Sequence, residues 1–247
     1  MLRALKAEIA KLKRARIVLW TALAVALIPA FVASSMKLTD SDLRMVTWDS
    51  FMHMAPQMMS SWWGILLFGL AASYLFGREY TDGTAKNMLT LPIRRETFVL
   101  AKMLVLAMWV FGLAALSVAF EAVYAAVLRL PGFAWEHIWA STGESMTIAL
   151  LIYLTLPVVA WLAMLEKGYL PPMLYSASMA TTSLMFAVIG WGRWFPWSMP
   201  QAVAGSSFGP LIEKPTLVAG SWMVDAAVFV VGLVAVIVCI ERADNTQ

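Results

Sequence analysis

Long apolar runs alternate with short polar connectors along the chain. Six runs stand out, at about 17–34, 58–77, 97–128, 145–165, 170–190 and 220–240. Each is close to the ~20 residues that an α-helix needs to cross a hydrocarbon core. None alternates apolar with polar positions, and all are longer than a barrel strand. A helix satisfies its own backbone hydrogen bonds, as a segment in lipid must. The pattern predicts an all-α integral membrane protein, six transmembrane helices in one domain over residues 1–247. The third run is the longest and is expected to project beyond the hydrocarbon. Pro29 and Pro157 are positions at which the first and fourth helices kink.

Ahead of the first run, Leu2, Leu5, Ile9 and Leu12 recur at helical spacing among lysines and arginines. Residues 1–16 read either as an amphipathic helix lying in the membrane interface on anionic lipid, or as a positive tail that only sets topology. Phe31 and Ala33 make a poor small-x-small cleavage site, so the first run is read as retained rather than as a signal peptide.

Composition agrees with the pattern. Of 247 residues, 61% are hydrophobic and 13% charged, against about 25% charged in soluble domains. The single cysteine, Cys239, lies inside the last run, which excludes a disulfide framework and a cysteine metal cluster. Charge placement sets orientation. With six spans, thirteen of the 18 Lys and Arg fall on the side of the two termini. Lys37, Arg44, Arg129, Arg193 and Lys214 fall on the other. The positive-inside rule then makes both termini and the 78–97 loop cytoplasmic, in a cell membrane. Trp48, Trp62, Trp63, Trp135, Trp139, Trp191, Trp194, Trp197 and Trp222 gather at the opposite face, as an aromatic belt would.

Between the second and third runs lies the polar stretch FGREYTDGTAKNMLTLPIRRETFVLAK, Phe76 to Lys102. Asp82-Gly83 is a turn signal. Thr84 is placed to cap a short helix through Leu89, and Pro92 ends it, because proline disfavours helix in the residue before it. Arg94, Arg95 and Lys102 are placed to meet lipid phosphates. The stretch holds no nucleophile–base pair and no metal-ligand spacing, so its chemistry is that of a contact surface. By composition alone it is equally a solvated, positive connector.

The order Glu79-Tyr80, Gly83-Thr84, Lys86-Asn87, Leu89, Pro92, Arg95 and Lys102 resembles the loop of type-2 ABC exporter permeases, above all the small six-span permeases of bacitracin-export and lantibiotic-immunity systems. In that family the loop carries a coupling helix seated in a groove of a separate ATPase subunit. The resemblance implies that Glu79, Tyr80, Asp82, Gly83, Thr84, Lys86, Asn87, Leu89 and Arg95 dock an ATPase. It also implies two ATPase copies, a second permease copy or a related permease, and an amphiphilic cargo such as an antimicrobial peptide, an antibiotic or a lipid-like molecule. The chain has no G-x-x-x-x-G-K-[ST] phosphate loop. No catalytic role, cofactor or nucleic-acid partner is therefore expected, and ATP hydrolysis belongs to the partner. The same loop also suits a membrane anchor or sensor that recruits an ATPase without transporting.

Ionisable and polar residues inside the runs are the remaining candidates. Glu121 and Asp225 are candidates by position, or pair with Arg129 or Arg193, or sit at the exposed interface. Ser176, Ser178, Thr181, Thr182 and Ser183 on the fifth run line a pathway or pack against a neighbouring helix. Met52, His53, Met54, Met58 and Met59 offer soft ligands for copper(I), as in permeases of copper-maturation systems; the 17 methionines of the chain equally suit apolar filling. The aromatic, proline-rich segment 191–219 is expected to fold back towards the membrane, buried in protein.

Overall fold

The structure, a computed structural model, describes residues 2–13, 15–38, 46–81, 83, 95–204 and 217–244. The described residues form helices and connectors, with no strand among them. Helix α1 (Leu2–Lys13) meets α2 (Arg16–Leu38), and their axes bend by 67° between Leu5–Leu12 and Arg16–Phe31. Leu5, Ile9 and Leu12 pack onto the protein core, with α1 against α6 (Arg95–Val127). The apolar face assigned to lipid from sequence thus rests on protein.

The second run begins earlier and less regularly than its hydropathy suggests. Short helices α3 (Trp48–Met52) and α4 (Met54–Met58) lead into a π-helical turn, Met59–Trp63, and then α5 (Gly64–Thr81). Thr47 starts α3 through a reciprocal cap: Ser50 N–H donates to Thr47 Oγ1 at 3.3 Å, and Thr47 N–H donates to Ser50 Oγ at 3.0 Å. Met52 and Phe51 are buried against Val118 and Ala125 of α6. Trp48 is 5% exposed and stands edge-on to Phe133 at 4.8 Å. It therefore leaves the predicted aromatic belt for the core, whereas Trp135, Trp139, Trp191 and Trp194 are exposed.

Two long helices form the centre. Helix α6 packs against α1, α2, α3 and α5, and α7 (Trp135–Leu165) against α5, α6, α8 (Leu170–Val188) and α10 (Ala219–Asp244). Pro157 inside α7 removes one helical hydrogen bond. The missing side chain of Gly232 lets α10 close on that turn: a Cβ there would lie 2.9 Å from Pro157 Cβ and 3.0 Å from Val158 N. A 3₁₀ turn, Pro196–Ser198, runs into α9 (Met199–Ala204). Pro196, Ser198, Met199, Pro200 and Ala204 are buried, and Gln201 Nε2 donates to Ser183 Oγ at 3.0 Å. Within the 191–219 segment the stretch Pro196–Ala204 is thus largely enclosed by protein, while Trp191, Arg193 and Trp194 before it are exposed; residues 205–216 lie outside the described ones.

Among the described residues, four helical segments are long and apolar enough to cross a membrane: Trp48–Thr81, Arg95–Val127, Trp135–Leu165 and Ala219–Arg242. The bent α1–α2 pair makes a fifth if counted as one span. Helix α8, with its serines and threonines, is not in that set. The molecule is a multi-pass, all-helical membrane protein.

Small residues set the α5–α8 approach. A Cβ on Gly69 would collide with Ser176 Oγ and lie 2.6 Å from Ser176 Cβ. Gly69→Ala should therefore lower stability by roughly 1–3 kcal/mol through overpacking. Ser176→Gly in the same chain should recover part of that loss in a thermal melt in detergent. No recovery would place the strain elsewhere.

Candidate functional site

The end of α5 and the start of α6 frame the polar loop, and charged side chains join them to α1. Glu79 Oε2 lies 2.6 Å from Lys102 Nζ, and Glu79 Oε1 lies 3.3 Å from Lys11 Nζ. Lys11 Nζ also contacts Glu8 Oε1 at 2.6 Å, and Glu8 Oε2 is 3.7 Å from an Arg78 terminal nitrogen. Lys102 donates to the Leu75 carbonyl at 2.7 Å, and its ammonium sits 5.2 Å and 5.1 Å from the ring centres of Phe76 and Phe98. Glu8, Arg78, Glu79 and Lys102 are all buried. Three cations thus share two carboxylates, and the cluster fastens three helices at one point.

Glu79 and Lys102 occupy the two rims of the loop, so their pairing fixes where the loop leaves and re-enters the bundle. Charges held this way are costly to break singly, because the remaining partner stays buried and uncompensated. Glu8 is the member that sequence reading missed. It is the only acid among residues 1–16 and falls between Leu5, Ile9 and Leu12 on the apolar face. An acid on such a face signals a buried basic partner.

The other predicted docking residues divide. Tyr80 packs half-buried against the core. Gly83 has φ +66°, and its N–H donates to the Tyr80 carbonyl at 3.3 Å, so the turn at Asp82-Gly83 uses the left-handed conformation open to glycine. Arg95 donates to the Ile240 carbonyl at 3.2 Å in the last turn of α10, where a cation complements the helix dipole. Asp82, Thr84, Lys86, Asn87 and Leu89, with the expected short helix, lie outside the described residues. The connector between α7 and α8 joins this end of the bundle too: a Cβ on Gly77 would come within 2.8 Å of the Gly168 carbonyl group and 2.9 Å of Tyr169 N.

Inside the bundle, Glu121 is 1% and Asp225 0% exposed. Both depart from the pairing or exposure expected of them. Neither forms an ion pair with Arg129 or Arg193 among the described residues; Arg129 is exposed, and Arg193 stacks over Trp194 at 5.9 Å. Glu121 Oε2 instead lies 3.2 Å from Ser141 Oγ. Neither carboxyl oxygen of Asp225 has a hydrogen-bond partner among the described residues.

The polar row on the fifth run splits between two faces of α8. Ser176 and Ser183 are buried, Ser176 against Gly69 and Ser183 beneath Gln201. Ser178 and Thr181 are exposed, and Thr182 is intermediate. Their hydroxyls donate to carbonyls of the preceding turn.

The methionine segment divides between two apolar clusters, with Met54 and Met58 packed beside Met52. Met52 and Met59 are buried in two different apolar clusters, and His53 pairs with Glu144 at 2.9 Å and Asp49 at 3.5 Å. Among the described residues no three His, Cys, Asp or Glu side chains converge to hold a metal ion.

Comparison with known proteins gives the family. Residues 4–191 match the family described as ABC-2 family transporter protein. The chain is also 27% identical over 181 residues to the bacitracin transport permease protein BCRB of Bacillus licheniformis, covering 73% of this chain and 85% of that relative. The family match, residues 4–191, spans the α1–α2 joint, the polar loop and helices α5 to α8. The chain belongs to the ABC-2 family of transporter proteins, as a type-2 ABC permease similar to that of bacitracin export.

Proposed function

We propose that this chain is the membrane-spanning permease subunit of an ATP-driven exporter, moving an amphiphilic cargo outward at the expense of ATP hydrolysed by a separate ATPase. The observation that carries the reading is the buried cluster of Glu8, Lys11, Arg78, Glu79 and Lys102. It sits under the loop that would receive an ATPase, and it makes α1, α5 and α6 one mechanical unit. A push on the 82–94 loop is then passed into two long helices rather than absorbed at a floppy hinge. Gly77, packed on the 168–169 backbone, joins the second connector to the same unit.

Orientation follows from the lysine and arginine bias: the loop and both termini face the cytoplasm, with six spans counting α2 and α8. Two ATPase subunits act on two permeases, identical or related, because one chain of this size offers few helices to enclose a bulky molecule. Ser178, Thr181 and Thr182 give α8 a polar outward stripe and are its best pathway candidates, while Ser176 and Ser183 support it from within. The relative's printed name supports a bacitracin-like amphiphile as cargo.

The test is retention of the ATPase by an affinity-tagged permease. Gly83→Val forces a β-branched residue into a left-handed conformation, at a cost of about 1–2 kcal/mol, without touching the spans. Membrane insertion should be unchanged and ATPase recovery should fall. Recovery at the wild-type level would remove this loop as the docking site.

A further inference from the structure

We propose that Glu121 is a buried proton-binding site, reached from the aqueous phase at the tryptophan-rich end of the bundle through Asp49, His53 and Glu144. The hydrogen-bond inventory around Ser141 points to it. Ser141 Oγ lies 3.0 Å from the Met52 carbonyl oxygen and 3.2 Å from Glu121 Oε2. A hydroxyl has one hydrogen to donate. If Glu121 is ionised, the two acceptors compete for that hydrogen and one buried oxygen loses its partner. If Glu121 carries a proton on Oε2, it donates to Ser141 Oγ, Ser141 donates to Met52, and every hydrogen has one acceptor.

Burial argues the same way. Glu121 Oε1 has no hydrogen-bond partner among the described residues. An unpartnered carbonyl oxygen of a neutral acid is far less costly inside a membrane protein than an unpartnered carboxylate oxygen. Ser145, one turn along α7 from Ser141, is also fully buried, with no hydrogen-bond partner for its hydroxyl among the described residues.

Among the described residues, the ionisable groups of α3 and of the first turns of α7, which meet Glu121 through Met52 and Ser141, are acids and histidines. Helix α3 and its end bring Asp49 and His53; α7 brings Glu136, His137 and Glu144; α10 carries Asp225. Arg129, just past the end of α6 and two turns beyond Glu121, is exposed. Helix α2 has no ionisable residue between Arg16 and Lys37.

Exposure is graded along the route. The side chains of Asp49 and His53 are 56% and 43% exposed, that of Glu144 is 15% exposed, and Glu121 is 1% exposed. Asp49 Oδ1 is 3.5 Å from His53 Nε2, and His53 Nδ1 is 2.9 Å from Glu144 Oε2. Asp49 Oδ1 is also 2.9 Å from His137 Nδ1, so both histidines of the chain stand on the same acid. Glu144 stands one turn along α7 from Ser141, whose hydroxyl lies 3.2 Å from Glu121 Oε2. A proton taken up on His53 passes from Nδ1 to Glu144 Oε2 and from there to the Glu121 carboxylate; the imidazole returns to neutral and Glu144 to its anion. No other atom is transferred.

Infrared difference spectroscopy on the full chain in lipid vesicles tests this at neutral pH. Subtracting Glu121→Gln from wild type should reveal the carbonyl stretch of a protonated carboxylic acid, and that band should shift in heavy water. Ser141→Ala should move the band to higher frequency as its hydrogen bond is lost, a readout that stands even if Glu121→Gln fails to fold. His53→Ala should slow the isotope shift. A difference spectrum with carboxylate bands in place of the acid band would overturn the site, as would a band unmoved by Ser141→Ala. An isotope shift of unchanged rate in His53→Ala would overturn the route.

Discussion

Lys102→Met should cost about 3 kcal/mol of stability, because it removes the closest partner of a buried carboxylate. The Lys11 contact to Glu79, at 3.3 Å, is longer and made by a half-exposed lysine. The Leu75 carbonyl, now accepting at 2.7 Å, would lose that donor. Methionine fills much of the space between Phe76 and Phe98, so the loss is electrostatic rather than a cavity. The check is a paired one. Glu79→Gln alone should also destabilise, since it strands the Lys102 ammonium. The double variant should be more stable than the sum of the two single losses predicts, because replacing a whole buried pair by neutral groups is often nearly harmless. If the double variant simply adds the two losses, the pair is not coupled. The variants should differ from Gly83→Val in kind: they loosen the α1–α5–α6 joint, so ATPase can still be captured while its hydrolysis no longer drives transport.

Gly77→Ala is the second large effect expected. The Cβ would enter within 2.8 Å of the Gly168 carbonyl carbon and oxygen and 2.9 Å of Tyr169 N. These are backbone atoms, so no side-chain rotation relieves the contact, and either α5 or the α7–α8 connector must move. Overpacking of this kind costs roughly 1–3 kcal/mol. The upper part of that range is expected here, since the obstacle is main chain. Gly143→Ala, whose Cβ would meet nothing within 4 Å, is the control. A melting temperature of Gly77→Ala equal to that of Gly143→Ala would show that the connector yields freely and cannot join the loops into one unit.

Much of this architecture was legible from hydropathy. The α6 and α10 boundaries fall within a few residues of the runs that predict them, because their apolar content is continuous from end to end. Helix α7 begins ten residues before its run, at Trp135 rather than 145. Its first turns carry Glu136, His137 and Glu144, which lower local hydropathy although they remain helical. The α3–α4 break at His53 was hidden for the opposite reason: the methionines around it are apolar and helix-compatible, and attracted a metal reading instead. Its one sequence signal is Thr47 with Ser50 three residues on, a reciprocal cap in small residues.

The site was legible in outline only. Glu79, Gly83 and Lys102 were singled out by their order in a loop. That Glu79 turns inward onto Lys102 and Lys11 could not be read there, because the rotation of α5 about its axis decides it. The same rotation question divides the α8 row, sending Ser176 and Ser183 inward while Ser178 and Thr181 face out. Helix spacing alone gives the faces but not which one meets Gly69. For Glu121 and Asp225, pairing with Arg129 or Arg193 was one of three readings open from the sequence, and the described residues do not show that pairing. Arg129 follows the end of α6 with φ +54° and is exposed, and Arg193 is held over Trp194.

The most direct test of the central claim is transport itself. The permease and its co-purifying ATPase, reconstituted in lipid vesicles, should hydrolyse ATP faster when a bacitracin-like amphiphile is added, and should move that amphiphile across the bilayer only with ATP present. Lys102→Met should keep the ATPase bound but lose both the stimulation and the movement. An ATPase that binds the wild-type chain, yet neither responds to any amphiphile tested nor moves it, would contradict the account and leave the chain as a membrane anchor for its partner.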